Sequence, residues 1–291
     1  LWYKNFDINQ LIYRVSGNNN ASIDKTLELI LSFFIRPFGI ITLLLAVIYY
    51  RHNLVIISIC FICGIITFFP TGVPRFAVAA TYLPLILISI PVLRKKHIFI
   101  FLMICCMLII WPAINIFRHS NGMYKMLSTT ELFESGNMDS YSSFANIIKY
   151  DITTWGEQLL GTLFFFVPRS FWFNKPISSG AFLSKHVGLS FDNISCNYFA
   201  EGYLNFGFVG VLLFAAIIAF FLAGLDNSYW SGNKSVNGFK PFYYMIMAFI
   251  IFIMRGALLD SWAYMISFSI AMWISNKLLS KKNNTYINGN F

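Results

Sequence analysis

Long runs of apolar residues are the feature that most limits what this chain can fold into. Seven stretches are long or apolar enough to cross a bilayer, which takes about 20 residues as a helix. They lie near residues 27–50, 54–69, 76–93, 98–117, 206–225, 241–256 and 258–278. The sequence therefore predicts an all-α fold, a polytopic transmembrane helical protein with about seven spans, and not a soluble globular enzyme.

The composition of the 291 residues agrees with a membrane protein, because 57% are hydrophobic and 11% are charged. In an ordinary soluble domain about a quarter of the residues are charged. The formal net charge of +9 would suggest a nucleic-acid partner for a soluble protein. In this chain the basic residues follow the predicted topology instead, so we expect membrane lipid, and no nucleic acid, as a partner.

Motifs for metals and nucleotides are missing from the sequence. Cys60 and Cys63 form a C-x-x-C spacing inside an apolar run, without the polar partners or second pair that a metal or redox site needs. We interpret that spacing as helix packing. No Walker loop, dinucleotide fingerprint or Asp-x-Asp pair occurs. The sequence thus predicts neither a metal nor a cofactor.

The basic residues of the short connections indicate the orientation, since such residues are retained on the cytoplasmic side. Nine of them fall on one side of the predicted bundle: Arg51, Arg94, Lys95, Lys96, Lys234, Lys240, Lys277, Lys281 and Lys282. The long stretch between the fourth and fifth spans falls on the opposite side. It is therefore predicted to be a large extracytoplasmic loop.

The predicted organisation has five parts. They are an outer segment (1–26), four transmembrane helices (27–117), the large outer loop (118–205), three transmembrane helices (206–279) and a cytoplasmic tail (280–291). A chain that ends inside after seven crossings must begin outside, although residues 1–26 resemble the middle of a loop. We therefore expect the chain to be truncated at its N-terminus, with an odd number of earlier spans missing.

Three arginines occupy depths where a charge is costly, by about 3 kcal/mol at a helix centre on insertion scales. Arg36 lies in the first span, Arg75 ends a Pro-Thr-Gly-Val-Pro-Arg turn, and Arg255 ends the sixth span. The topology brings all three toward the outer leaflet. Snorkelling, or pairing with a carboxylate such as Asp260, explains each one alone. Three together favour a shared anionic ligand, because guanidinium groups repel one another in a low dielectric and bind phosphate through two parallel hydrogen bonds.

One part of the outer loop is itself apolar. Residues 155–173 are rich in Trp, Phe and Leu, but Pro168 and Arg169 interrupt them before they reach the length of a span. We expect an interfacial or re-entrant helix here. Arg169 and Lys175 are then predicted to lie at headgroup level, near the plane of the three arginines.

Two residues of the outer loop are candidate general bases. Glu201 precedes the fifth span, where partial desolvation would suit it to accept a proton. Complementation of a helix N-terminus is the structural alternative for this residue. His186 is the other candidate, since an extracytoplasmic histidine exchanges protons near neutral pH.

The order of these arginine motifs, the large outer loop and the Glu201 segment along the chain resembles that of the Wzy-type O-antigen, or oligosaccharide repeat unit, polymerases of bacterial inner membranes. The resemblance rests on the Arg-Pro pair at Arg36, the turn at Arg75, the segment Phe-Val-Pro-Arg-Ser-Phe-Trp-Phe-Asn-Lys-Pro around Arg169, and Glu-Gly-Tyr-Leu-Asn-Phe-Gly-Phe-Val-Gly from Glu201. Some members also carry an Arg and a Gly separated by ten residues, as Arg169 and Gly180 are here. A second copy of that motif is not visible.

The resemblance implies a fold like that of class C glycosyltransferases and a site that faces the periplasm. A glycan on undecaprenyl pyrophosphate would be transferred to the non-reducing sugar of a second lipid-linked repeat unit. The implied pyrophosphate-binding residues are Arg36, Arg75, Arg169, Lys175 and Arg255, and the implied catalytic bases are Glu201 and His186. The implied partners are the two lipid-linked glycans and a protein that regulates chain length.

Two other functions stay open at this stage. The related O-antigen ligases use an outer-loop His and a Gly-x-x-Gly-like start of a helix, which His186 and residues 207–210 resemble loosely. A flippase or transporter of lipid-linked glycan would also place arginines in a cavity. Such transporters usually bind near the midplane and have paired repeats of broken helices, and neither is evident here.

Overall fold

The computed structural model describes residues 30–69, 75–105, 139–189, 192, 194–231 and 239–288. Within them the chain is all helical and has no strand. The helices are α1 (Arg36–Tyr49), α2 (Leu54–Thr67), α3 (Arg75–Ser89), α4 (Lys96–Cys105), α5 (Asp139–Lys149), α6 (Glu157–Leu163), α7 (Ser179–Val187), α8 (Tyr198–Trp230), α9 (Phe239–Arg255) and α10 (Leu258–Asn288). A π-helical turn, Leu31–Ile35, precedes α1, and a 3-10 turn, Pro91–Arg94, precedes α4.

A helix lies in each of the seven predicted spans, and the fourth is described only as far as Cys105. The predicted outer segment 1–26 and the first part of the outer loop, 118–138, lie outside the described residues. In the part of the chain that the structure describes, two helical stretches are long and apolar enough to cross a membrane, namely Leu31–Tyr49 and Tyr198–Trp230. Seven crossings stay a prediction.

Most side chains in the apolar later part of α8 face outward, which separates this helix from the core helix of a soluble protein. Only 11% of its most apolar window is buried. Leu212 is 72% exposed and Phe220 is 81% exposed, although both lie in the middle of the helix. Exposing so large an apolar surface to water is unfavourable, because the burial of apolar area is the main driving force of folding. The exposure favours a membrane protein in which lipid covers α8.

A kink divides α8 into two arms. Phe206 and Gly207 leave the helical region, and Gly207 has φ 61° and ψ −151°. The rings of Tyr198 and Phe214 nevertheless lie 5.0 Å apart. Sixteen residues of straight helix would separate them by about 24 Å. The chain therefore reverses direction at the kink, and the first arm folds back along the second.

The two arms of α8 differ in length and surroundings. The short arm, residues 198–205, is mostly buried, whereas the long arm, residues 208–230, is mostly exposed. Their backbones touch where Gly202 faces Gly210, and a Cβ on either residue would overlap the other's carbonyl group. The long arm alone is about 34 Å long at 1.5 Å per residue. The reversal at Phe206 and Gly207 coincides with the boundary predicted at residue 206 between the outer loop and the fifth span.

The main core is formed by α1, α3, α9 and α10 around buried aromatic rings. Phe68, Phe249 and Phe268 are almost fully buried, and the ring of Phe268 contacts that of Phe68 edge to face and that of Phe249 at a tilt. Helices α1 and α2 approach closely because Gly39 leaves room for Thr67, whose hydroxyl would overlap a Cβ at position 39. Small residues that permit such an approach are typical of membrane helix pairs.

One end of this core carries the first turns of α1, α3 and α10 and the last turns of α2 and α9; we call it the outer end. Ring contacts fix this arrangement: Phe33 contacts Tyr264, Phe68 contacts Tyr264, and Phe76 stacks on Phe252. The described part of the outer loop joins here as well, because Phe165 contacts Phe33. The fold therefore gathers the loop and five helix ends in one place.

Candidate functional site

Arg255, the last residue of α9, is held from two sides at the outer end. Its Nη2 donates to Oδ1 of Asp139 at 3.1 Å, and its guanidinium lies 4.2 Å from the centre of the Phe76 ring. Oδ2 of Asp139 accepts a hydrogen bond from the backbone N–H of Ser195 at 2.8 Å. The side chains of Arg255 and Asp139 are 24% and 16% exposed. This cation is therefore fixed in direction while it stays accessible.

The other two predicted arginines lie at the same end. Arg75 begins α3 and precedes Phe76, which contacts Arg255, so its backbone lies beside the Arg255 site. The side chain of Arg75 lies outside the described part of the structure. Arg36 follows Phe33 by about one turn and is partly exposed. The fold thus brings Arg36, Arg75 and Arg255 to the outer end from three separate helices.

The position of Arg36 depends on an unusual turn that the sequence analysis did not predict. The N–H of Arg36 bonds to the carbonyl of Leu31, five residues earlier, and closes the π-helical turn. Pro37 has no N–H to donate to the carbonyl four residues before it, so the α-helical pattern cannot continue through this point. Single π-turns in helices are frequent at functional sites. Arg36 occupies the junction between that turn and α1.

Arg169 and Lys175 form a clasp that holds the loop together. Arg169 donates to the carbonyls of Lys175 and Pro176 at 2.6 and 3.1 Å. Lys175 Nζ donates to the carbonyls of Phe165 and Val167 at 2.6 and 2.9 Å. Burial, together with the nearby charge of Arg169, lowers the pKa of Lys175. The position of both residues at headgroup level stays a prediction; in the structure the ammonium of the buried Lys175 is engaged by carbonyls of its own loop.

The Arg-x10-Gly pattern has a structural explanation in this loop. Arg169 binds the carbonyls that lead into α7, and Gly180, in the first turn of α7, packs against the backbone of Ile194. A Cβ at position 180 would overlap the carbonyl oxygen of Ile194. The two ends of the pattern therefore fix the two sides of one connection, between the clasp and α7.

Glu201 lies in the short arm of α8 and is 1% exposed. Its Oε1 accepts a hydrogen bond from the N–H of Leu258 at 2.9 Å, and its Oε2 accepts one from the Oγ of Ser179 at 2.7 Å. The carboxyl group thus sits at the N-termini of α10 and α7. Partial desolvation was expected, whereas the burial is complete. In this conformation the carboxylate of Glu201 joins the starts of α7 and α10, and its role as a general base stays a prediction.

His186 is the exposed candidate of the two predicted bases. It lies in the last turn of α7, and its ring stacks on that of Phe182 with centroids 6.1 Å apart. Helix α7 is attached at its other end through Ser179, which donates to Glu201. An exposed imidazole on a helix that is anchored in this way is accessible to a sugar hydroxyl.

Several polar residues of the site were missed in the sequence. The short arm is tied to the loop by hydrogen bonds from Thr154 to the carbonyl of Leu204, from Leu159 to Asn205, and from Tyr203 to Asp151. Asn197 caps α8 by accepting from the N–H of Ala200, and this N-cap is the one signal that the sequence offered. Nothing in the sequence singled out Asp139 as a partner of Arg255, because isolated acidic residues are common in loops.

The site holds no cluster of metal ligands within the residues that the structure describes, since no group of three His, Cys, Asp or Glu side chains converges there. Its distinctive chemistry is a set of arginines beside aromatic rings. Comparison of this chain with protein-family models, with curated proteins and with solved structures gave no match.

Proposed function

We propose that this chain is a membrane-embedded glycosyltransferase that polymerises undecaprenyl-pyrophosphate-linked oligosaccharide repeat units at the periplasmic face of the bacterial inner membrane. The observation that carries the proposal is the gathering of Arg36, Arg75 and Arg255 at the outer end, beside a loop that supplies an exposed histidine. The sequence resemblance to repeat unit polymerases names the substrate class. The arginines are the part that the geometry supports directly.

The chemistry requires a site that accepts negative charge. The bond between the anomeric carbon of the donor glycan and the pyrophosphate oxygen breaks, and a bond to the acceptor hydroxyl oxygen forms. Undecaprenyl pyrophosphate leaves with the electron pair of the broken bond. Preoriented cations in a region of low dielectric stabilise charge as it develops, and this term is often the largest in catalysis. Arg255, fixed by Asp139 and Phe76, is oriented before the substrate binds.

A base must take the proton of the acceptor hydroxyl. His186 is assigned this role in place of Glu201, because it is exposed while the carboxyl group of Glu201 is engaged by Ser179 and Leu258. A positioned base typically contributes about 100-fold or more to the rate. Glu201 then acts as a positioning residue. It holds the N–H of Leu258, the first residue of α10, and Leu258 lies three residues after Arg255, across the short turn between α9 and α10.

The test uses purified protein in lipid nanodiscs with lipid-linked repeat units as the sole substrate. Wild-type protein should produce a ladder of longer lipid-linked glycans. The variants Arg75→Ala and Arg255→Lys should lose the ladder, about 100-fold or more in rate. The matched control is Arg51→Ala, which removes an exposed arginine at the other end of α1 and should keep the ladder.

Three outcomes would contradict the proposal. A normal ladder from both site variants would remove the arginines from the mechanism. In sealed vesicles, movement of the lipid-linked glycan across the bilayer without a ladder would assign a flippase. In a second reaction with added lipid A-core acceptor, transfer of glycan to that acceptor without a ladder would assign a ligase.

A further inference from the structure

Residues 155–173 form a segment of the loop that we call the aromatic finger. It consists of α6 and the turns on either side of it. Its exposed rings are Trp155, Phe164, Phe166, Phe171 and Phe173, of which Phe171 and Phe173 are 82% and 83% exposed. Where the sequence predicts an interfacial or re-entrant helix, the structure has a seven-residue helix followed by irregular turns, and its position relative to a membrane stays a prediction. So many bare rings on one short segment indicate a surface that something apolar covers.

Several backbone groups of the aromatic finger form hydrogen bonds with other groups of the same loop. The clasp of Arg169 and Lys175 provides donors for four carbonyls, those of Phe165, Val167, Lys175 and Pro176. The N–H groups of Phe171 and Trp172 bond to the carbonyl of Pro168. Irregular backbone is tolerated at membrane depth only where its polar groups have partners. The clasp supplies such partners for the carbonyls of Phe165 and Val167 within the finger.

Two contacts fix where the aromatic finger lies relative to the candidate spans. Gly156, at its base, packs against the Phe206 ring at the reversal of α8. Phe165, farther along, contacts Phe33, which lies inside the candidate span Leu31–Tyr49. The finger therefore runs from the outer tip of one span to a residue within the other. Its rings continue the exposed apolar surface of the long arm, where Phe208 is 66% exposed.

The charges of the clasp favour lipid over a protein as the covering partner. Neither the exposed Arg169 nor the buried Lys175 forms an ion pair with a carboxylate among the described residues, so the base of the aromatic finger carries positive charge without a paired anion. Aromatic rings at the boundary of headgroups and acyl chains, beside basic side chains, are typical of membrane interfaces. We propose that the aromatic finger inserts into the outer leaflet and that phospholipid covers Phe164, Phe166, Phe171 and Phe173. This inference does not depend on the proposed glycosyl transfer.

The experiment places a fluorescent label at two finger positions and at one control position. Phe171→Cys and Phe173→Cys are each labelled with an NBD group, in a chain that keeps the buried Cys196 and has its other cysteines replaced by alanine. Lys185→Cys is the matched control, because Lys185 is an exposed charged residue of the same loop. The proteins are reconstituted into phosphatidylethanolamine–phosphatidylglycerol vesicles that contain lipids spin-labelled on the acyl chain.

The expected result is lipid quenching at least threefold stronger at positions 171 and 173 than at position 185, with the reverse order for aqueous iodide. All three positions are exposed, so the labels should not disturb folding, and a monodisperse elution profile checks this. Equal quenching at all three positions would overturn the inference. Crosslinking of two copies through position 171 or 173, with weak lipid quenching, would also overturn it and would assign the surface to a dimer.

Discussion

Asp139 accepts a hydrogen bond from Arg255 at 3.1 Å, across 116 residues of sequence. The bond joins the first residue of α5 to the last residue of α9 and so attaches the outer loop to the end of the helical core. Ser195, which donates to the same carboxylate, brings the start of α8 to the same point. The loop is therefore docked on the core by the same cation that we assign to substrate.

Replacing Asp139 with Asn should weaken this attachment. The pair is partly buried, so we expect a loss of about 1–2 kcal/mol, between the values for exposed and for buried ion pairs. Thermal unfolding in nanodiscs measures the change. Asp192→Asn, which alters an exposed acidic residue, should have almost no effect. If Asp139→Asn loses no more stability than this control, the ion pair does not hold the loop.

Two substitutions of Glu201 separate its positioning role from catalysis. Glu201→Gln keeps an acceptor for Leu258, and Ser179 is able to accept the new amide donor, so we expect a stability loss below about 1 kcal/mol. Glu201→Leu leaves two buried donors unpaired and should cost about 2–5 kcal/mol. Glycan polymerisation should survive in Glu201→Gln. A stable but inactive Glu201→Gln protein would show instead that the carboxylate takes the proton.

The contact between the arms of α8 depends on glycine at position 210. A methyl group there would overlap the carbonyl of Gly202, so Gly210→Ala should cost about 1–3 kcal/mol. Gly224→Ala is the matched control, because it lies on the same long arm with no atom within 4 Å of its added Cβ. That control should be neutral or slightly stabilising. Thermal unfolding of the two variants side by side makes the comparison, and equal melting temperatures would argue against close contact of the arms.

A substitution at Gly207 measures how much the backbone conformation at the reversal depends on glycine. Its φ of 61° and ψ of −151° belong to a region that only glycine occupies readily, although a Cβ there would meet no atom within 4 Å. Gly207→Ala should therefore cost about 1–3 kcal/mol through backbone strain alone. Gly188, with φ 77° and ψ 32°, also has no atom within 4 Å of an added Cβ, and Gly188→Ala should cost less because non-glycine residues do visit that region. A larger loss in thermal unfolding for Gly188→Ala would contradict this order.

The helices themselves follow from the sequence by itself. Apolar runs of the length of a span can satisfy their backbone groups only as helices in an apolar setting, so each of the seven predicted spans contains one. Alternation of those helices places Arg36, Arg75 and Arg255 toward one end, since each arginine lies near a helix end on the same predicted side. The position of these three residues at one end of the helical core could therefore be predicted from the sequence, whereas their binding of an anion stays a proposal.

Tertiary structure decided what the polar side chains do. Glu201 and Lys175 looked alike in sequence, as charges near an apolar segment, yet one is engaged by Ser179 and Leu258 and the other by loop carbonyls. Those partners lie up to 57 residues away, and local patterns carry no information on such distances. The reversal at Gly207 was hidden for a related reason: a helical hairpin and a straight helix have the same apolar composition. Only packing of the short arm against the loop selects between them.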